Sequence, residues 1–253
     1  GNGQNLYSTS ADGTDKYISK SGTSMSAPNV TGSLLLLQEY YHKLNNRFMK
    51  SATLKALTIH TADAAGEGQE PDYSFGWGLL NTEKAAGLIS RNGCDALISE
   101  HTYEGNAMNL DFYSDGTQAL TFTIVWTDLP GTPPEPALDP RDPMLVNDLD
   151  IKLNFVDTTF YPYVLDPENP QKKAETGINS LDNAEKIYAE TPLAGHYTLE
   201  ISHKGELTGN AQDFSLTASG LQSECVADLS IDSSGYSTIR IKWQNNAAND
   251  PVL

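Results

Sequence analysis

The stretch Ser21–Pro28, with the letters SGTSMSAP, contains the residues of this chain best suited by type and spacing to covalent chemistry. A serine hydroxyl becomes a good nucleophile once a base removes its proton, and the acyl transition state needs hydrogen-bond donors aimed at its oxyanion. A helical pattern follows Ser24, so we expect this serine at a helix N-terminus, where unpaired backbone amides supply such donors. The pattern therefore makes Ser24 a candidate nucleophile, with the small residues Gly22 and Thr23 allowing a substrate chain to approach.

Three helical segments are predicted to position this serine. From Met25 to Leu44 the apolar residues cover most of a helical circumference, which indicates a helix buried on nearly all sides. Ser51 is expected to be the N-cap of a second helix, and Asn81 the N-cap of a short third helix. Residues 1–92 are therefore predicted to form one mainly helical unit.

Beyond Arg91 the hydrophobic period changes to two, which is typical of half-buried strands. With turn residues between them, these strands predict an antiparallel β-sandwich over residues 93–225. Residues 226–253 are predicted to add one strand or to begin a further domain. The alternating segments are 120–126, 149–155, 197–201 and 214–218.

The serine stretch, followed by Val30 and Gly32, resembles the nucleophile signature of the subtilisin family of serine endopeptidases. Two further stretches match in the same order. Residues 5–9 resemble the strand that precedes the nucleophile loop, and residues 75–81 resemble the family's last Gly-x-Gly segment before its terminal helix. The resemblance implies a partial α/β catalytic domain, mostly helical in this part, in which Ser24 is the residue that becomes acylated.

The chain departs from the family pattern in two ways. Asn29 stands where the family usually has a histidine that belongs to helix packing. The family order of catalytic residues is Asp, then His, then Ser, so the resemblance implies that the aspartate, the histidine and the oxyanion asparagine lie upstream. His42 and His60 are the nearest histidines, and we expect packing or surface roles for both. Since loss of the base costs on the order of a millionfold in subtilisin, the isolated chain should be nearly inert.

A second resemblance concerns the predicted sandwich. Residues 144–151, with 183–185 and 192–199 downstream, resemble the jelly-roll domain that follows the catalytic domain in some bacterial alkaline subtilases. Related convertase-type domains stabilise their catalytic domain by packing against it. The resemblance implies the same role for this sandwich.

Six residues between positions 128 and 150 carry side-chain oxygens of the kind that calcium prefers. No EF-hand spacing is present, and any one of these residues taken alone is more simply a solvated loop residue. Together they predict a structural calcium site with Asp148 and Asp150 as candidate ligands, while the chemistry itself needs no cofactor. The six are Asp128, Asp139, Asp142, Asn147, Asp148 and Asp150.

Composition limits the partners and the location. Sixteen Lys and Arg against 33 Asp and Glu give a net charge of −17, which repels nucleic acid and anionic lipid. The longest apolar run, Leu34–Leu37, is far shorter than the ~20 residues of a membrane span. Cys94 and Cys225 form either one disulfide, which would imply an oxidising compartment, or two buried free thiols. The resemblance implies a secreted or cell-surface bacterial protein whose export signal lies upstream.

Two hypotheses for function follow. The first is a subtilisin-like serine endopeptidase that acts on protein or peptide substrates and needs the upstream half of its own catalytic domain. The alternative is a pseudoprotease, or a sandwich module that binds protein or glycan, because this chain alone carries no base for Ser24. The gene sequence upstream of this segment distinguishes the two hypotheses. An Asp-Ser/Thr-Gly strand end and a His-Gly-Thr helix start in that sequence would favour the enzyme. Under either outcome residues 95–225 can act as a stabilising domain without a ligand.

The apolar first helix generates a prediction about association. A helix that is apolar on nearly every face requires a parallel sheet to cover it, and the upstream segment should supply that sheet. We therefore expect the isolated chain to dimerise or aggregate, as measured by size-exclusion chromatography with light scattering. A monodisperse monomer that melts cooperatively would contradict this expectation.

Overall fold

The computed structural model describes residues 3–66, 68, 71–138, 140 and 142–222, and the backbone of Ala227–Gly235 and Thr238–Asn245. A short antiparallel hairpin comes first, and three helices follow it. None of the helices in the described part of the chain is long and apolar enough to cross a membrane. These elements are β1 Leu6–Thr9, β2 Tyr17–Lys20, α1 Thr23–Asn45, α2 Ser51–Thr61 and α3 Thr82–Ser90.

The three predicted helices form, with one correction at a cap. Asn81 caps α3 as expected, because its side chain accepts a hydrogen bond from the Lys84 amide at 2.8 Å. Ser51 is not the N-cap of α2. The cap is Lys50, which has extended backbone angles and no side-chain hydrogen bond, and Ser51 is the first residue of the helix.

Two four-stranded antiparallel sheets make up the rest of the core. We name them the helix-side sheet, with strand order β10-β5-β12-β3, and the outer sheet, with order β4-β11-β6-β7. Consecutive strands β3, β4, β5 and β6 alternate between the two sheets. Their bounds are β3 Ala96–Tyr103, β4 Met108–Ser114, β5 Leu120–Trp126, β6 Leu149–Phe155, β7 Thr158–Phe160, β10 Ala184–Ala189, β11 Gly195–His203 and β12 Gln212–Ser219.

Two further strand pairs lie outside these sheets among the described residues. A small pair, β8 Tyr163–Val164 and β9 Glu175–Thr176, lies between β7 and β10 in the chain. Near the end, β13 Ala227–Gly235 and β14 Thr238–Asn245 pair as an antiparallel hairpin. This hairpin lies in the segment predicted to add one strand or to begin a further domain.

The two sheets share one hydrophobic core, as the period-two pattern predicts for a sandwich. Aromatic side chains contribute to this core, with the ring of the partly buried Phe155 stacked on the buried Tyr197 at 4.4 Å. The antiparallel sandwich predicted from the sequence is thus present. Fully buried aliphatic and aromatic side chains from both sheets include Phe122, Ile187 and Leu216 of the helix-side sheet and Leu149, Ile151 and Leu153 of the outer sheet.

The strand β5 departs from the half-buried prediction, because both of its faces are buried. Its core face carries Phe122 and Ile124, and its other face carries Thr123 and Val125, which are at most 1% exposed. Helix α2 covers that second face, packing on β5 and β12. Threonine in an alternating pattern predicts a face exposed to solvent, whereas Thr123 here faces helix α2.

Polar contacts as well as apolar ones join α2 to the helix-side sheet. The Thr53 and Ser215 hydroxyls are 2.9 Å apart in a buried pair. The two ring nitrogens of His60 lie 3.0 Å from the Thr123 hydroxyl and 2.8 Å from the Ser219 hydroxyl. The helical segment and the sandwich therefore share a buried interface.

Helix α1 is buried on one side in the described chain, not on nearly all sides. Leu37 and Tyr41 are each 1% exposed, whereas Leu35 and Leu36 are 71% and 62% exposed. The apolar surface of α1 that was predicted to be buried is therefore partly exposed in the described structure.

Cys94 is disulfide-bonded, which favours the first of the two cysteine alternatives. The partner expected from the sequence, Cys225, lies outside the described residues.

Lys186 on β10 generates a prediction about alkaline stability. Its side chain is buried, and its ammonium donates to the carbonyls of Ile59 and His60 at the end of α2, at 3.1 and 3.4 Å. Burial, with a smaller contribution from the charge of Lys84, lowers the pKa of Lys186 from 10.5 to about 8. Burial likewise holds the pKa of His60 well below its usual value, so the imidazole is neutral.

Because the unfolded chain binds more protons than the folded chain between about pH 8 and pH 10, the free energy of unfolding should rise with pH in that window. The gain should be roughly 2–3 kcal/mol, at about 1.4 kcal/mol per pH unit. Lys186→Met should remove this rise in urea unfolding curves. The control Lys43→Met removes an exposed lysine and should keep the rise. An unchanged pH dependence in Lys186→Met would contradict the assignment.

Candidate functional site

Ser24 lies at the start of α1, as the sequence predicts. It is the second residue of the helix, and it is exposed, as are its neighbours Gly22 and Thr23. The first helical turn contains no acidic residue, and the N-cap Gly22 makes no side-chain hydrogen bond. The amides of Thr23 and Ser24 precede the first intrahelical bonds, so no carbonyl of the helix accepts from them.

Gly22 has a backbone conformation that requires glycine. Its φ is 151° and its ψ is 168°, a region that residues with a β-carbon rarely adopt. Its carbonyl accepts hydrogen bonds from the amides of Met25 and Ser26 at 3.0 and 3.2 Å, which closes the first turn. The sharp entry into α1 therefore depends on the glycine that directly precedes Thr23.

The exposed side of α1 continues from Ser24 along the helix. Pro28, Thr31 and Leu35 follow at helical spacing, and all of them are exposed. Eleven residues complete about three turns, so Leu35 lies within about 20° of Ser24 around the axis and about 16 Å along it. Ser24 thus belongs to the same open face as the exposed leucine.

The two nearest histidines are not placed as a base for Ser24. His42 lies further along α1, about 27 Å from Ser24 along the axis, and its ring stacks on Phe48 at 4.4 Å. His60 is buried, and hydroxyl groups lie within hydrogen-bond distance of both its ring nitrogens. Both residues therefore pack against neighbouring groups, which is one of the two roles expected from the sequence.

The segment 75–81 ties the end of α2 to the start of α3. The amide and carbonyl of Leu79 exchange hydrogen bonds with Asp63 at 2.8 Å each. Gly78 has a φ of 109°, and a β-carbon there would collide with the Asp63 carbonyl oxygen. Gly78 therefore allows the backbone of this segment to approach the backbone that follows α2.

The candidate calcium ligands lie where β6 begins in the outer sheet. Asp148 and Asp150 are two residues apart, so their side chains project to the same face, away from the core. Each is half-buried, and the Oδ1 atom of each is buried without a hydrogen-bond partner among the described residues. Burial raises the pKa of both, and the charge of Asp148 raises that of Asp150 further.

Glu185 is a neighbouring carboxyl that sequence reasoning did not select. It is fully buried on β10, its Oε2 accepts from the Ile151 amide at 2.7 Å, and its Oε1 has no partner among the described residues. Burial raises its pKa well above the usual value, and the charges of Asp150 and Asp148 add to this. The signal in the sequence that could have identified it is the charged pair Glu185–Lys186 within β10 Ala184–Ala189. This composition is not typical of a buried strand.

The other predicted oxygen ligands are arranged differently. The Asp128 carboxylate accepts hydrogen bonds from the amides of Leu129, Val146 and Asn147. It therefore connects the start and the end of the segment between β5 and β6. Asp142 is exposed, and Asp139 lies outside the described residues. Within the described ranges, no three His, Cys, Asp or Glu side chains form a group that could hold a metal ion.

Comparison with known proteins adds two findings. Residues 1–78 match the model of the subtilase family. The chain is also 27% identical over 215 residues to the "Serine protease/ABC transporter B family protein tagA" of Dictyostelium discoideum, a match that covers 76% of this chain. The chain spans 12% of that protein's length. Both matches support a serine protease.

Proposed function

We propose that this chain is part of a subtilisin-like serine endopeptidase in which Ser24 is the nucleophile. The observation that carries the proposal is the exposed Ser24 at the N-terminus of α1, inside a segment that matches the subtilase model. Glycine at position 22 and small residues around the serine leave room for a peptide substrate. Protein or peptide is accordingly the proposed substrate class.

In the proposed reaction the Ser24 Oγ bonds to the substrate carbonyl carbon while its proton passes to a histidine base. The Ser24 amide donates to the oxyanion that develops. Collapse of this intermediate breaks the C–N bond, the proton goes to the leaving amine, and water then hydrolyses the acyl ester. The base and its aspartate would come from the upstream part of the catalytic domain.

The open face of α1 supports the need for that upstream part. Leu35 and Leu36 are exposed on the helix, and Tyr7 and Tyr17 are exposed on the hairpin, where their rings stack at 5.3 Å. Burying a leucine side chain contributes about 1.5–3 kcal/mol. A sheet that covered this face would therefore stabilise α1 and lie beside Ser24.

We propose further that the sandwich is a jelly roll that stabilises the catalytic part. The strand orders β10-β5-β12-β3 and β4-β11-β6-β7, with consecutive strands alternating between sheets, support this topology. The buried contacts of Thr53 and His60 with the helix-side sheet support the stabilising role.

The disulfide at Cys94 supports an extracytoplasmic location. The Dictyostelium relative gives no support for a bacterial source.

Labelling with a fluorophosphonate tests the nucleophile. In a longer protein that includes the upstream segment, we expect an adduct at Ser24 and peptidase activity. Ser24→Ala should abolish the adduct and lower turnover by on the order of a millionfold. Ser51→Ala is the matched control, because Ser51 is an exposed serine that also begins a helix. No adduct at Ser24 would overturn the proposal and favour a pseudoprotease or a binding module.

We also propose a structural calcium ion held by Asp148 and Asp150. The two buried oxygens without partners fit a cation, although the described side chains offer no third acidic, histidine or cysteine ligand. At a hundredfold excess over Kd, calcium should stabilise the fold by about 2.7 kcal/mol. For a chain of this size that corresponds to a rise in Tm of roughly 5–10 °C.

Thermal unfolding with calcium or with a chelator measures this effect. Asp148→Asn and Asp150→Asn should each reduce the rise in Tm. Asp157→Asn is the control, because it removes one exposed negative charge from the turn between β6 and β7. A Tm that is the same with calcium and with chelator would contradict the site.

A further inference from the structure

The loop before Ser24 is held against residues 3–5. The Gly22 amide donates to the Gly3 carbonyl at 2.7 Å. A β-carbon on Gly3 would lie 2.7 Å from the Gly22 carbonyl oxygen and 3.0 Å from the Ser26 β-carbon. The segment that enters β1 therefore touches the N-terminus of α1 directly.

A second pair of hydrogen bonds joins Asn5 to Ser21. The Asn5 amide donates to the Ser21 hydroxyl at 2.9 Å, and the Ser21 hydroxyl lies 3.4 Å from the Asn5 side-chain oxygen, to which it donates. Ser21 is three residues before Ser24. The hydroxyl of Ser21 thus both accepts from and donates to one residue.

Asn5 also has an uncommon backbone conformation. Its φ is 54°, in the left-handed region, where asparagine is tolerated better than other residues with a β-carbon. Such conformations persist where surrounding contacts fix them, and they are concentrated at functional sites. Here Asn5 is held by its two hydrogen bonds with Ser21.

We infer that Asn5 is a positioning residue that acts on Ser24 through Ser21 and Gly22. The inference rests on the proposed function, because its consequence is the rate at which Ser24 is acylated. Acyl transfer depends on the reacting atoms being held in near-attack geometry, and a misplacement of about 1 Å costs about a hundredfold in rate. Loosening the Asn5–Ser21 contact should therefore slow the acylation of Ser24.

The test compares variants in the longer protein that includes the upstream segment. Asn5→Ala should slow fluorophosphonate labelling of Ser24 and lower kcat by about 10- to 100-fold, with KM little changed. Asn5→Asp keeps a side-chain acceptor and should recover most of the rate. Asn5→Gly keeps the left-handed backbone but has no side-chain acceptor, so it should be slow as well. If Asn5→Ala does not fold, the Asn5→Gly and Asn5→Asp pair decides the outcome.

Asn46→Ala is the matched control. Asn46 follows α1 at its other end with a φ of 53°, and its amide donates to the His42 carbonyl. The substitution imposes the same kind of backbone strain far from Ser24, so it should lower Tm without slowing labelling. Equal labelling rates for Asn5→Ala and the unmodified protein would overturn the positioning role alone. An unmodified protein that is never labelled at Ser24 would overturn the proposed function and this inference with it.

Discussion

The packing of α2 against the helix-side sheet is the interaction on which the rest of the described structure depends. Ala56 and Leu57 are fully buried, and the sheet face beneath the helix contains threonine, serine and lysine side chains. Buried polar groups are costly unless they are hydrogen-bonded. Here Thr53 pairs with Ser215, and His60 pairs with Thr123 and Ser219. Since such pairs require matched positions on both surfaces, they fix how the helix lies on the sheet.

The same packing orients α1 through the corner between the two helices. Glu100 on β3 accepts from the Thr53 hydroxyl at 2.7 Å and from the Lys50 amide at 3.3 Å, and it pairs with Arg47 at 3.2 Å. Exposed ion pairs contribute about 0–1 kcal/mol each to stability. The apolar core therefore supplies most of the stabilising free energy, and these contacts fix the position of the helices on the sheet. The corner after α1 is thereby attached to the sandwich.

The regular elements were predictable from the sequence because their signals are local. Hydrophobic period located α1 and the strands β5, β6, β11 and β12, and the Asn81 cap marked the start of α3. Burial on the second face of β5 was not predictable, because it depends on a helix that lies much earlier in the chain. The sequence around Thr123 would look the same whether its hydroxyl faced solvent or, as here, the imidazole of His60. The candidate site shows the same division. Residue types around Ser24 made it the candidate nucleophile, but the Asn5–Ser21 contact joins residues sixteen positions apart and has no motif of its own. Glu185 was missed for a related reason, because its burial follows from the meeting of β10 with β6.

In the proposed enzyme, the position of Ser24 on α1 links catalysis to the burial of the open face of that helix. Ser24 and Leu35 lie on one open face of the helix, and Leu35 is 71% exposed. Any sheet that buries this leucine must lie along the same side of α1, and so it approaches the serine from the direction of its hydroxyl. In the proposed enzyme, the contact that stabilises α1 would therefore also bring the base to Ser24. Hydrophobic burial and catalytic assembly would then be one event.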